Sequence, residues 1–270
     1  AACAGMSPIA KINQALGGLS GIRQLKNLSE QIAAPEELSK LADQLSAIHS
    51  KMLKAERQLL IIAEADRIEP LCSELAPLWQ DFNATTTSNF SQPAVKEVKK
   101  EFWVANSQVN FCAKAYPTVP SDHPDAPVLT VLATYMKNGF LHRVIREQGG
   151  AYGGGASQDS NIAAFRFYSY RDPRVVDTLS DFDKSIEWML NTPVIAQGLE
   201  EAILGVVSSI DKPGSPAGEA KQDHHSNVFG RSLAQRRLFR QRVLAVTEGD
   251  LQRVCERYLS KGDASVAVLS

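Results

Sequence analysis

The sequence lacks the cysteine and histidine patterns that form a self-contained metal site. The four cysteines include no Cys-x-x-Cys pair, so a zinc ribbon or thioredoxin-type site is not expected; they are Cys3, Cys72, Cys112 and Cys255. The five histidines form neither His-Glu-x-x-His nor its inverse; they are His49, His123, His142, His224 and His225. Adjacent helical residues such as His224 and His225 point about 100° apart, a poor geometry for chelation. We therefore expect no metal within this chain and reduced, mostly buried thiols.

A strong net charge and a long apolar run are absent as well. The 29 Lys and Arg residues nearly balance the 30 Asp and Glu residues, giving a formal net charge of -1. No run approaches the roughly 18 apolar residues of a membrane span. One predicted helix is rich in arginine, but near-neutrality favours an ion-paired or solvated face over a polyanion site; the residues are Arg231, Arg236, Arg237, Arg240 and Arg242. We predict neither a nucleic-acid nor a membrane partner.

The beginning of the chain does not resemble the start of a protein. Residues 1–6 lack both an initiator Met and a signal peptide. We expect a cut edge of a longer polypeptide, so localisation stays open: cytoplasmic for a bacterial source, an organelle matrix for a eukaryotic one.

The N-terminal region is helical in its apolar spacing. Residues 7–33 place apolar side chains three and four apart, with an interruption at Gly17 and Gly18. A helix beginning at Pro35 carries an apolar stripe made of Leu38, Leu41, Leu45, Ile48 and Met52. We predict that residues 1–55 are the helical tail of a preceding domain or an interdomain linker. Residues 56–270 are predicted to form the C-terminal domain.

The remaining pattern alternates strands and helices. We predict strands at 58–63, 101–116, 162–170 and 265–269, with a bulge near Asn106. Helices are predicted at 66–79, from 128 towards the glycine-rich stretch, and after Asp172-Pro173 to 190, Thr192-Pro193 to 210, Ser215-Pro216 to 243 and Thr247 to 259. Residues 81–92 are predicted to be an exposed loop. This order predicts an α+β fold, a mostly antiparallel sheet with helices packed on one face.

Residues 146–155 concentrate five of the 17 glycines between a predicted helix and a predicted strand. They contain neither Gly-x-Gly-x-x-Gly nor a Walker pattern, and their helix-then-strand order is the reverse of both nucleotide motifs. One interpretation is a helix C-cap followed by a strand bend. The other is a site in which Arg146 and Tyr152 bind a carbonyl or an oxyanion beside open backbone.

The sequence Arg-Glu-Gln-Gly-Gly-Ala-Tyr-Gly at 146–153, with Gly139-Phe-Leu-His before it and Gly154-Gly-Ala after it, resembles a known family. It is similar to the last domain of pitrilysin-type, inverted-zincin metallopeptidases, in the presequence protease and falcilysin branch. The chain has Gln148 where that family commonly has Lys.

The resemblance implies an enzyme of four related domains in two halves that close around an unstructured peptide. Zinc and its His-x-x-Glu-His motif would lie in the first domain, so this chain by itself is expected to be inactive. Arg146 and Tyr152 would reach the scissile region, and Gly149, Gly150, Gly153 and Gly154 would admit substrate. Two alternatives stay open: a non-catalytic scaffold domain of the same family that binds peptide or a partner, and an unrelated binding domain.

Overall fold

The structure is a computed structural model that describes residues 1–56, 58–79, 93–260 and 263–270. The strands are β1 Lys100–Trp103, β2 Asn110–Pro117, β3 Gly153–Asp159, β4 Ala164–Asp172 and β5 Ser265–Leu269. The α-helices are α1 Pro8–Gly17, α2 Leu19–Gln31, α3 Pro35–Leu53, α4 Ala65–Trp79, α5 Asp125–Met136, α6 Val176–Asn191, α7 Ala196–Ile210, α8 Pro216–Val228, α9 Leu233–Leu244 and α10 Glu248–Cys255. A short 3-10 helix spans Ala2–Gly5, and π-helices span Lys137–Gln148 and Glu256–Ser260.

The five strands form one mixed sheet in the order β1-β5-β2-β4-β3. The pairs β5–β2, β2–β4 and β4–β3 are antiparallel, and only β1–β5 is parallel. The predicted α+β class with a mostly antiparallel sheet is therefore confirmed. Strand β3, which contains Gly153, Gly154 and Gly155 of the glycine-rich stretch, lies at one edge.

The core fills the space between one face of the sheet and the helices. Phe165 and Phe167 of β4 are fully buried, and the ring of Phe167 stacks on that of Phe182 from α6 at 5.6 Å. Helix α5 is buried along most of its length, as its continuously apolar sequence requires. On the opposite face, Ala115 and Ala267 pack against Ala2 of the 3-10 helix. The helices that build the main core thus share one face.

The chain forms two compact units. The first comprises residues 1–20, 93–212 and 234–270 and contains the sheet and its core. The second comprises residues 21–92 and 213–233. Within the second unit, the apolar stripe of α3 is exposed: Leu38, Leu45, Ile48 and Met52 are each more than half accessible to solvent. The domain division predicted after residue 55 stays a prediction.

Two strand predictions are wrong. Residues 58–63 form no strand, and residues 58–60 are exposed. The predicted strand at 101–116 is two strands, because the extended structure is interrupted between Trp103 and Asn110. Trp103 pairs with Leu269 from one side of β5, and Phe111 pairs with the same residue from the other. The segment between them therefore carries the chain around the end of β5. The irregularity near Asn106, which was predicted to be a bulge, is this connection between two strands.

The predicted helix beginnings are partly correct. Ser215 and Thr247 cap α8 and α10, and Thr247 with Asp250 forms a capping box. Asp172 caps no helix, because its carboxylate accepts hydrogen bonds from the Arg174 N–H at 2.9 Å and the Thr178 hydroxyl at 2.8 Å. Helix α6 consequently begins later, at Val176.

Two further helix limits differ from the prediction. Helix α7 begins after Ile195, with no side-chain cap, rather than at Thr192-Pro193. The helix predicted from Ser215 to Val243 divides into α8 and α9, because Gly230 adopts a left-handed φ of 68°. The predicted helix at 66–79 and strand at 265–269 are confirmed. The loop predicted at 81–92 lies outside the described residues.

No single helix among the described residues is long and apolar enough to cross a membrane. Helices α6 and α7 together meet the criterion of length and composition, but they are bent by 119°. Phe182, Ile186, Leu199 and Ala202 of this pair are buried in the core of the first unit.

Candidate functional site at the Arg146–Gly155 turn

The candidate site begins where the π-helix ends. Gly150 has a φ of 77°, in the left-handed region that glycine adopts without a side-chain penalty. The N–H of Gly150 donates to the carbonyl of Arg146, and the N–H of Ala151 donates to that of Ile145, each at 3.1 Å. This nested pair resembles a Schellman motif, which satisfies carbonyls left over at a helix end. The predicted helix C-cap is therefore present.

A second arginine, Arg174, lies under the turn. Its Nη1 donates to Asp181 Oδ2 at 3.2 Å, and its Nη2 donates to the Val144 carbonyl at 3.4 Å. A Cβ at Gly149 would lie 1.8 Å from Arg174 Nη2, so only glycine leaves room for this guanidinium. Arg174 thus ties the last turn of the π-helix to α6. The sequence analysis missed this residue, because no local pattern brings residues 149 and 174 together.

The predicted bend lies at Tyr152, directly before β3, and three of the glycines follow it within the strand. Gly153, Gly154 and Gly155 are paired residues of β3, opposite Tyr170, Ser169 and Tyr168 of β4.

The space beside the β3 glycines is occupied by the chain itself. A Cβ at Gly153 would lie 2.5 Å from the Tyr170 hydroxyl oxygen, and one at Gly154 would lie 2.8 Å from a methyl group of Ile145. The missing side chains thus allow close packing within the first unit. A contact between these glycines and substrate stays a prediction.

Arg146 and Tyr152 are both exposed, on either side of the turn. Tyr152 is 63% accessible to solvent. Among the residues that the structure describes, neither the guanidinium of Arg146 nor the hydroxyl of Tyr152 has a hydrogen-bond or ion-pair partner. The backbone under Tyr152 is ordered by a hydrogen bond from its N–H to the Arg171 carbonyl at 3.2 Å. The site therefore presents one guanidinium and one phenol whose N–H and O–H groups are available to bind a ligand.

The Tyr152 ring has two neighbours that the sequence analysis did not connect with it. Its centroid lies 5.7 Å from that of Tyr170, with 57° between the ring planes. The guanidinium carbon of Arg171 lies 5.4 Å from the same centroid, within the range of a cation–π interaction. Arg171 also has a φ of 50°, which is uncommon outside glycine.

The described part of the chain offers no set of three His, Cys, Asp or Glu residues that could hold a metal ion. Near the turn, His142 Nδ1 lies 3.4 Å from Glu147 Oε1, but no third ligand accompanies them. The donor set therefore does not fit zinc. The arginine-rich segment includes an ion pair, since Arg240 binds both carboxylate oxygens of Asp211 at 2.8 and 2.9 Å through Nε.

A buried carboxylate elsewhere in the first unit has a structural role. Asp125, at the beginning of α5, accepts hydrogen bonds from Arg253 Nη1 and from the Tyr258 hydroxyl, both at 2.8 Å. Burial alone would raise the pKa of Asp125, but these two donors outweigh it and hold that pKa below its usual value. Burial and the bond to Asp125 raise the pKa of Tyr258 to about 12. The cluster links α5 to α10 and its following π-helix.

Comparison with known proteins places the turn in a defined family. A family model described as the PreP C-terminal domain matches residues 100–268, which contain the whole turn and, apart from Leu269, all five strands. The chain belongs to this family. The resemblance to the last domain of the presequence protease branch, predicted from the sequence, is thereby confirmed.

Individual relatives agree with the family. The chain is 35% identical over 269 residues to the mitochondrial presequence protease of Kluyveromyces lactis, covering 95% of this chain and 27% of that protein. It is 31% identical over 254 residues to the mitochondrial presequence protease of Xenopus laevis, covering 92% of this chain and 24% of that protein. The chain thus spans about a quarter of the length of these relatives.

Solved structures share the fold. A protease from Helicobacter pylori superposes with a TM-score of 0.61 at 14% identity, covering 77% of this chain and 53% of that one. The M16 peptidase inactive domain from Pseudomonas fluorescens gives a TM-score of 0.57 at 15% identity, covering 77% and 51%. Pitrilysin gives a TM-score of 0.54 at 10% identity, covering 74% and 22%. The fold is therefore that of M16 peptidase domains.

Proposed function

We propose that this chain is the C-terminal part of a zinc metalloendopeptidase that degrades unstructured peptides in a closed chamber. The observation that carries the proposal is the exposed pair Arg146 and Tyr152, which lacks polar partners in the described residues, within a chain of the PreP C-terminal domain family. The pair completes a reaction centre whose metal is held by another part of the longer polypeptide. That other part and the peptide are the proposed partners.

Each residue of the pair has a role that suits its chemistry. The guanidinium of Arg146 is a planar cation with several N–H donors, and it binds a backbone carbonyl or the carboxylate of the peptide. The Tyr152 hydroxyl donates a hydrogen bond to the oxygen that becomes negative as the scissile carbonyl is attacked. Such a donor acts by stabilising charge that develops only in the transition state. Of the four glycines expected to admit substrate, Gly150 is exposed and is the proposed point of approach for the peptide. The space beside Gly149, Gly153 and Gly154 is occupied by other side chains of the chain.

The isolated chain is proposed to be inactive as a peptidase, because the described residues provide no ligand set for zinc. The relatives named mitochondrial presequence proteases suggest an organelle matrix if the source is eukaryotic. Residues 1–55 are proposed to belong to the preceding domain or an interdomain linker.

A scaffold role is the second candidate. It is favoured by the neighbours described as inactive domains, such as the inactive peptidase domain of a Bordetella parapertussis zinc protease, with a TM-score of 0.52. A scaffold would bind peptide or a partner without contributing to turnover. The sequence of the preceding domains distinguishes the two, since only the enzyme requires a His-x-x-Glu-His motif there.

The test is the turnover of an unstructured peptide by the longer polypeptide carrying Arg146→Met or Tyr152→Phe. We expect Tyr152→Phe to lower kcat by about 10²–10³-fold, as loss of one oxyanion donor does. Zinc content, measured by atomic absorption, is expected to stay unchanged. The matched controls are Arg143→Met, an exposed arginine of the same π-helix, and Tyr168→Phe, a half-buried tyrosine of β4. Normal turnover in both site variants would exclude the proposal.

A further inference from the structure

Arg171 lies beside Tyr152, the proposed oxyanion donor. It is exposed and follows Tyr170 in β4, one residue beyond the pairing of Tyr170 with Gly153. Its guanidinium carbon lies 5.4 Å from the centroid of the Tyr152 ring, and its carbonyl accepts the Tyr152 N–H at 3.2 Å. Both the backbone and the side chain of Arg171 therefore contact Tyr152.

The residue that makes these contacts, Arg171, also has an uncommon backbone conformation. Its φ of 50° lies in the left-handed region, which costs free energy for any residue except glycine. Strained residues persist where the surrounding structure determines them strongly, and they cluster at functional sites. Gly in this position would avoid the strain but would remove the guanidinium from the Tyr152 ring.

Tyr170 is a second neighbour of the Tyr152 ring. The two ring centroids are 5.7 Å apart. Tyr170 can lie there because Gly153, its partner in β3, has no side chain, whereas a Cβ would approach the Tyr170 hydroxyl oxygen to 2.5 Å. An exposed ring would otherwise exchange between rotamers on the picosecond to nanosecond timescale. The two neighbours restrict that exchange.

We propose that Arg171 is a positioning residue that holds the Tyr152 phenol in the orientation required to donate to the oxyanion. This inference rests on the proposed function of Tyr152. A transition-state donor is effective only when it is oriented beforehand, so the fraction of time in the correct orientation enters kcat directly. The planar guanidinium suits this task because it stacks on an aromatic face, which the compact ammonium of lysine does less well.

The experiment compares Arg171→Met with wild type in the longer, zinc-loaded polypeptide cleaving an unstructured peptide. Methionine keeps a long side chain and the same backbone strain but removes the cation. We expect kcat to fall by about 3–30-fold, the range of a cation–π contact that becomes desolvated when peptide binds, with KM nearly unchanged. Arg171→Lys is expected to lie between the two.

A double-mutant cycle separates positioning from direct binding. In the Tyr152→Phe background there is no hydroxyl to orient, so Arg171→Met should cause no further loss of kcat. Arg166→Met is the matched control: this exposed arginine belongs to the same strand, but its Nε donates to Ser157 Oγ at 2.9 Å. It should leave kcat unchanged. If Arg171→Met lowers the Tm more than Arg166→Met does, Arg171→Asn repeats the test with a residue that tolerates a positive φ.

Each outcome decides between defined alternatives. An equal loss from Arg171→Met in the wild-type and Tyr152→Phe backgrounds would overturn the inference, since Arg171 would then act independently of Tyr152. Normal turnover in Arg171→Met with impaired turnover in Tyr152→Phe would overturn the inference and leave the proposed function standing. Normal turnover in Tyr152→Phe alone would overturn the inference and the oxyanion role of Tyr152, whereas the proposed function falls only if Arg146→Met is normal as well.

Discussion

Substituting Gly149 by alanine should destabilise the fold, because the added methyl group would displace the side chain of Arg174. The backbone conformation of Gly149 gives no sign of this effect. Gly149 has a φ of -85°, a conformation that any residue adopts. The difficulty is space, since the new Cβ would lie 1.8 Å from Arg174 Nη2 and 2.6 Å from the Ile145 carbonyl oxygen. An ordinary contact requires about 3.5–4.0 Å. The guanidinium must therefore move by roughly 2 Å, whereas the backbone carbonyl has little freedom to move.

The cost of this movement follows from the bonds that it breaks. Arg174 would leave both Asp181, whose side chain is only 6% exposed, and the Val144 carbonyl. A hydrogen bond to a charged group contributes about 1.5–3 kcal/mol, and overpacking a filled site costs about 1–3 kcal/mol. The two costs are not additive, because moving the guanidinium breaks its hydrogen bonds but relieves the overpacking. We expect a net loss of about 2–3 kcal/mol, or a fall in Tm of about 4–12 °C.

Thermal unfolding followed by circular dichroism measures this effect in the 270-residue chain. Gly249→Ala is the matched control, because a Cβ there meets nothing within 4 Å and Gly249 lies in the first turn of α10. Alanine at a helical position with free space should raise stability by about 0.5–1 kcal/mol. If Gly149→Ala is as stable as wild type while Gly249→Ala behaves as expected, Arg174 does not hold the turn in the way described.

Three further changes test other parts of the first and second units. Thr247→Ala removes the capping box of α10 and should cost about 0.5–2 kcal/mol in urea unfolding; an unchanged midpoint would contradict the cap. Asp125 has a depressed folded pKa, so its stabilising contribution is present above the usual Asp pKa of about 3.9 and is lost as pH falls through the lower folded value. Asp125→Asn should therefore lower stability at pH 7 and reduce the dependence of stability on pH below about 4, whereas an unchanged pH profile would refute the assignment. Leu45→Glu changes an exposed residue of the α3 stripe, so the chain should keep its Tm within about 1–2 °C; a larger fall in Tm would show that this side chain is packed.

Much of the fold was predictable because its signals are local. The apolar spacing of α2, α3 and α4, the side-chain caps at Ser215 and Thr247, and the strand at 265–269 each depend on a few neighbouring residues. The helix C-cap at Gly149 and Gly150 is of the same kind. Predictions failed where a local pattern indicated the wrong structure, as at Asp172. Its carboxylate accepts hydrogen bonds from the Arg174 N–H and the Thr178 hydroxyl and does not cap a helix.

The residues of the candidate site were likewise only partly predictable from local sequence. The sequence by itself determined that an arginine and a tyrosine flank a glycine-rich turn, and the motif they form indicated the family. Only the tertiary structure decided what surrounds them. Arg174 lies 25 positions after Gly149 in the chain and reaches it because α6 packs beside the π-helix, while Arg171 and Tyr170 reach Tyr152 because β4 pairs with β3. Such contacts depend on strand register and on space left by absent side chains, which are properties of the packed molecule.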